Sequence, residues 1–369
     1  LHPDFLIIGG GVIGFMTALE LSRRGATVSI VERGVTGQEA SWAGGGILSP
    51  LLPWDYADAV TQLTAPAAAR YATLTEELLA TTGIDAEYHP GGMLVLPPYE
   101  TSRARQWASR HAAPVAEVSA RSQAARIGAD THALWLPAIA QLRNPRLLKA
   151  LRRQLDANGV TLREKTEVLN LTIRRAHAAS VRTSRGDIHA GGYIVTAGSW
   201  SQSLLDVQQK HTGFRPIRGQ MLLLKAERPL FQPVIIQRGV YLIPRRDGHI
   251  LVGSTLEDVG FDKSTTAEAL TTLHARAADI LPVLADMPVV RHWAGLRPGS
   301  PGNIPAISRL PGVDNVYLNS GHFRYGVTMA PASAQLVCDL VLGQLSPIDP
   351  TPYQWHSPAI EKNSANRLN

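Results

Sequence analysis

Three observations predict an α/β fold, in which a Rossmann-type parallel-sheet domain carries an inserted, mainly antiparallel β-sheet domain. The chain opens on a strand, a glycine cluster, a helix and a second strand that ends in an acid. A further strand, glycine and helix pattern stands near its other end, and strand-rich segments lie between. At 369 residues the chain exceeds the size at which one core stops growing, so two domains are expected. The first is expected from residues 1–85, 140–215 and 290–345, and the second from 86–139 and 216–289. Residues 346–369 form a C-terminal tail.

The elements follow in order. Phe5–Ile8 is the short apolar run that a buried parallel strand requires. A helix is predicted over residues 12–24, with Val12, Met16 and Leu19 along one face and Gly25 as its C-terminal glycine. Residues 27–31 form the second strand, ending at Glu32, and residues 34–46 read as a loop of small residues. Tyr71, Leu74 and Leu78 at helical spacing predict a helix over 66–82, stopped by Gly83, with a strand over 92–96. Asn144 and Pro145 read as the N-cap and first position of another helix, whose buried face is Leu148, Leu151 and Leu155. Strands are predicted over 168–173, 179–183 and 193–196, then over 221–224, 240–243 and 250–253. Asp247–Gly248 forms a hairpin turn between the last two. A helix over Ala267–Ile280, a strand over 316–318 and a helix over 331–342 complete the chain.

Composition removes several function classes. A single cysteine, Cys338, forms no intrachain disulfide, which fits a reducing compartment. The twelve histidines are dispersed, with no pair at i,i+4, so no metal site is expected. Neither a phosphate-binding P-loop nor a G-x-S-x-G elbow is present. No apolar run is long enough for a transmembrane segment, and no signal segment precedes Phe5, so a cytoplasmic protein is expected. The net charge of +6 is spread along the chain without a basic block, and no nucleic-acid partner is expected.

Gly9-x-Gly11-x-x-Gly14 stands between a predicted strand and a predicted helix. Gly9 serves the tight turn, Gly11 lets backbone approach a pyrophosphate, and Gly14 lets helix and strand pack closely. The helix N-terminus offers free N–H groups to phosphate. The Glu32 carboxylate suits the ribose hydroxyls and would repel a 2′-phosphate, while Arg33 either reaches the adenosine end or is a plain surface charge. This motif alone does not separate FAD from NAD. Two later segments favour FAD: a strand running into Ala197 and Gly198, and a glycine-flanked second helix start at residues 321–328. Backbone N–H groups at Gly326–Thr328 suit the edge of a flavin that becomes negative on reduction.

With these residues in view, the chain resembles the FAD-dependent D-amino-acid oxidase superfamily, and within it is most similar to glycine oxidases of thiamine biosynthesis. The markers are Gly9 to Gly14 with Glu32, SWAGGGIL at 41–48, GGML at 91–94, YLIPR at 241–245, WAGLRP at 293–298 and GHFRYGV at 321–327. Their order and spacing cover residues 5 to 342. The resemblance implies non-covalent FAD, held by Val12, Ile13, Glu32, Arg33, Ala40, Ser41, Gly45, Gly46, Ile47 and Val168, and by His322, Phe323, Arg324, Tyr325, Gly326, Val327 and Thr328. It implies a substrate carboxylate held by Arg297 and Tyr241, with Arg324 beside flavin and substrate. The chain departs from the family at Gly239, where a histidine is expected two residues before the tyrosine, and this bears on pocket size.

Arginine supplies the planar bidentate donor that a carboxylate requires, and a phenol adds a third hydrogen bond. With the carboxylate fixed, Cα–H can be aimed at flavin N5 for hydride transfer, and no side-chain base is needed. The expected reaction converts a small amino acid such as glycine, sarcosine or a small D-amino acid to an oxo acid. O2 is then reduced to hydrogen peroxide. The alternatives are a dehydrogenase with another acceptor, a tRNA-modifying amine oxidase, or a flavin-bearing subunit of a larger complex. Oligomeric state is left open, a homo-oligomer included.

Overall fold

In the computed structural model, residues 2–206 and 213–355 are described. The end of the expected tail, residues 356–369, lies outside them, as does the segment 207–212. Among the described residues the strands form sheets of six, eight and three.

The six-stranded sheet grows from the opening strand. Phe5–Ile8 pairs in parallel with Val28–Val31 on one side and Gly192–Val195 on the other. Thr161–Arg163 extends one edge, and Val316–Ser320 with antiparallel Ala306–Arg309 the other. Alternation sorts the side chains into two cores, because successive residues of a strand point to opposite faces. Ile7, Ile30, Ile194 and Ile307 face helices Val12–Arg23, Asp58–Thr82, Asn144–Ala157 and Gly326–Val341. Leu6, Ile8, Val31, Tyr193 and Val195 face the small sheet of Val168–Arg174, His177–Thr183 and Gly186–Ile188.

The eight-stranded sheet is antiparallel except where Val234–Gln237 meets Met93–Val95. Leu222, Leu242 and Val252 pack toward helix Ala267–Ile280, while Met221, Tyr241 and Ile243 face the opposite way. Val289–Gly299 forms its edge against Arg215–Lys225. The pairing within this sheet therefore runs to Gly299, ten residues past the expected boundary.

Of the three prolines expected to begin helices, Pro145 lies in the first turn of its helix, whereas Pro66 and Pro331 lie inside theirs. The helix expected from Pro66 begins at Asp58. Proline removes the N–H that would meet the carbonyl four residues earlier. Here that is Gln62, and Gln62 and Pro66 are both exposed, so water can serve the carbonyl. The helix expected from Pro331 begins at Gly326, and the carbonyl that loses its partner is Val327, which accepts the hydroxyl of buried Tyr71. Asn144 is not the N-cap: Arg143 holds that position, and the Asn144 side chain donates to the Ser41 carbonyl at 2.8 Å. The expected loop at 34–46 contains a short helix, Ala40–Ala43. Helix Thr101–His111 was not expected, because its one buried side chain is Ala104.

Among the described residues no helix is long and apolar enough to cross a membrane.

Candidate functional site

A cavity of about 380 Å³ runs from the first glycine turn to the wall of the eight-stranded sheet. Every expected site residue lines it except Gly14. A Cβ at Gly14 would sit 2.0 Å from the Gly9 carbonyl oxygen, so this glycine lets the helix pack onto the strand and stands behind the wall.

At one end, Gly9 turns the chain at φ +115°, which a side chain rarely tolerates. The Glu32 carboxylate is fixed by two backbone donors, accepting from Gly10 N–H and Gly34 N–H at 2.9 Å each. The Val12 N–H at the helix start donates to Ser41 Oγ at 2.9 Å. Arg33 is more than a surface charge, because its guanidinium stacks 3.5 Å over the Trp200 ring at the cavity edge.

In the middle, Gly46 lies flat against the next segment. A Cβ there would meet the Leu142 carbonyl oxygen at 2.1 Å and Asn144 Oδ1 at 2.5 Å. Buried Arg245 anchors this loop, donating to the Gly45 and Leu142 carbonyls and to Gln141 Oε1 at 2.6, 2.9 and 3.1 Å. Burial lowers its guanidinium to about 10, still charged at neutral pH. Asn144 Oδ1 and Asn319 Oδ1 are buried without a protein partner, on residues that line the cavity.

At the far end, the loop 321–328 is tied down from three directions. His322 pairs with Ser333 Oγ at 2.9 Å, Thr328 donates to the Ile47 carbonyl at 3.0 Å, and the Tyr325 and Tyr56 hydroxyls are hydrogen-bonded. Burial holds His322 neutral, down to about 3.

The opposite wall comes from sheet register. Trp293, Met221, Gly253, Tyr241 and Ile236 form one row across five strands. Gly253 carries no side chain, and the Tyr241 ring lies over it, reaching Met221 Sδ at 3.8 Å. One row on, Gly295 faces Gly219, and the Arg297 guanidinium lies over Gly219. Arg297 donates to Ser254 Oγ at 2.6 Å and to the Thr255 carbonyl at 3.1 Å. Burial lowers its guanidinium, the Tyr241 phenol opposes that shift, and nearby Arg324 adds like-charge repulsion. For Arg324, burial is outweighed by the phenols of Tyr325, Tyr56 and Tyr241, which raise it. Among the described residues Arg324 makes no hydrogen bond or ion pair, and Arg297 has no carboxylate partner.

Gly239 lies elsewhere. It occupies the hairpin turn after Val234–Gln237 at φ +78°, with open space around it, and does not line the cavity. Sequence reasoning missed Gly219, Met221, Asn144, Asn319 and Trp200. Only Gly219 carried a local signal, since a glycine inside a strand marks close approach. Among the described residues no cluster of metal-ligating side chains occurs.

A family model described as FAD dependent oxidoreductase (DAO) matches residues 4–340. The chain is 46% identical to a glycine oxidase of Pseudomonas aeruginosa, over 94% of this chain and 97% of that protein. It is 33% identical to the bifunctional protein ThiO/ThiG of Synechocystis, over 94% of this chain and 52% of that longer protein. The solved structure of glycine oxidase from Geobacillus kaustophilus superposes with a TM-score of 0.90 at 27% identity, covering 96% and 98% of the two chains.

Proposed function

The chain belongs to the DAO family of FAD-dependent oxidoreductases, and from that premise we propose that it oxidises a small amino acid, glycine first, and reduces O2 to hydrogen peroxide. The residues present fit FAD. Gly11 leaves its side of the cavity open, a Cβ there having only Ser41 Oγ nearby at 3.1 Å. Glu32 presents a carboxylate held by backbone, and the orphaned Asn144 Oδ1 and Asn319 Oδ1 offer acceptors along the same wall. Bound there, FAD would supply the electron sink for the oxidation of the amino-acid Cα, with O2 as the final acceptor.

The single observation that carries the reading is the pair of guanidiniums, Arg297 and Arg324, facing one cavity without a carboxylate between them. An amino-acid carboxylate supplies the missing negative charge. Arg297, held by Ser254 and Thr255, offers its remaining donors, and Tyr241 adds a phenolic O–H. Arg324 adds charge beside the loop 321–328. Tyr241, Met221 and Leu51 form an apolar wall that excludes water and favours the neutral amine. Because the Cα hydrogen would leave as hydride, no side-chain base is needed at Cα.

In this reading the parallel-sheet part holds FAD through the glycine turn, Glu32, Ser41 and the loop 322–328, with Arg33 and Trp200 at the adenosine end. The eight-stranded sheet presents the substrate wall. The ThiO/ThiG relative supports a place in thiamine biosynthesis.

The test is anaerobic. Glycine added to the purified flavoprotein should bleach the visible flavin band, and admitting air should restore it with hydrogen peroxide. A band unchanged by glycine, sarcosine and D-alanine would overturn the small-amino-acid reading.

A further inference from the structure

We propose that Met221 is an oxidation site within the substrate cavity, converted to its sulfoxide by hydrogen peroxide that accumulates during turnover, and that this change weakens carboxylate binding. The proposal rests on the oxidase reading for the source of peroxide. It rests on geometry for the choice of residue.

The chain has five methionines and one cysteine. Met16 and Met329 are buried in the helix-side core of the parallel sheet, with Cys338 beside them. Met93 is fully buried within the eight-stranded sheet, and Met287 packs on that sheet's far face. Met221 alone among these sulfurs lines the cavity. It is only 2% exposed, so access from solvent runs through the cavity. Its sulfur already accepts from the Tyr241 hydroxyl at 3.8 Å, a long contact to a weak acceptor.

The reaction balances without a further reagent. Sulfur attacks one peroxide oxygen, an S–O bond forms as the O–O bond breaks, and the second oxygen leaves as water with both protons. Sulfur loses the two electrons that peroxide gains. The product replaces a soft, apolar thioether with a strongly accepting, bulkier S=O group. That oxygen outcompetes a substrate carboxylate for the Tyr241 O–H and adds a polar atom to the apolar wall beside Arg297. The site thus limits its own turnover when peroxide accumulates.

The test uses the flavin-loaded protein turning over glycine in air, with and without catalase. Without catalase, KM for glycine should rise several-fold, in step with a one-oxygen mass increase on the Met221 peptide. With catalase both should stay at their starting values. Methionine sulfoxide reductase should restore KM. Met221→Leu, normalised to its own initial rate, should hold its KM under the same exposure. Inorganic peroxide added to resting protein separates the two readings. If glycine is not turned over, yet added peroxide modifies Met221 ahead of the buried Met16, Met93 and Met329 and weakens acetate binding, the oxidase reading fails and the site stands. Turnover that leaves Met221 unmodified, or full modification with unchanged KM, overturns the proposal alone.

Discussion

The guanidinium of Arg297 lies across the bare α-carbon of Gly219, so closely that a Cβ there would sit 2.1 Å from both of its terminal nitrogens. The register explains the contact. Gly219 pairs with Gly295 and Ile217 with Arg297, so Gly219 is the diagonal neighbour of Arg297 on one face of an antiparallel pair. The arginine leans along that diagonal to reach Ser254 and Thr255.

Gly219→Ala should therefore displace the guanidinium while leaving the fold intact. We expect KM for glycine to rise about tenfold or more, equivalent to about 1.4 kcal/mol, with a smaller fall in kcat. Steady-state kinetics check this. A variant with wild-type KM would show that the guanidinium has a second productive position.

Glu257 supports the same arginine from behind. Its carboxylate accepts from Arg218 Nε and Gln220 Nε2, each at 2.9 Å, and from the Thr255 hydroxyl, whose residue supplies the carbonyl that holds Arg297. Burial raises Glu257, but hydrogen bonds from Thr255, Arg218 and Gln220 prevail and leave it low. Glu257→Gln leaves buried Arg218 with Asp262 as its ion-pair partner. We expect a loss of roughly 1–3 kcal/mol in stability and a raised KM. Denaturant unfolding and glycine kinetics read the two effects separately; an unchanged KM would mean that Arg297 is oriented without this network.

His322 links stability to pH. Its folded value of about 3 lies below the ordinary 6.5, because burial disfavours the charged ring. The unfolded chain takes up the proton first. The contribution is full above about 6.5 and is lost as pH falls from there through about 3, up to about 3 kcal/mol between pH 7 and 4. His322→Gln should lose less stability over that interval in paired unfolding curves. Equal losses would place the acid sensitivity in other groups.

Tyr71 meets the carbonyl that Pro331 leaves without its helical partner. Tyr71→Phe keeps the ring and removes the donor, leaving the Val327 carbonyl unsatisfied beside the cavity loop. A cost of about 1–3 kcal/mol is expected, together with weaker FAD retention. Unfolding and flavin release on dilution measure both, and a neutral effect would mean that water takes the hydroxyl's place.

The opening strand, glycine turn, helix and Glu32 were legible because each depends on near neighbours: apolar period, the need for positive φ, and the proximity of helix N-terminus to strand end. The motif at 321–328 was legible for the same reason. The hairpin around Asp247–Gly248 also declares itself within a few residues. Long-range partners decided the rest. Whether Pro66 and Pro331 end a helix depends on what the freed carbonyl can meet, open solvent at exposed Gln62 and the Tyr71 hydroxyl at Val327. Whether Gly239 shapes the pocket depends on where its turn points. The placement of Arg297 over Gly219, and of Tyr241 over Gly253, follows from strand register, which pairs residues tens of positions apart and puts them on one face only when the whole sheet is assembled.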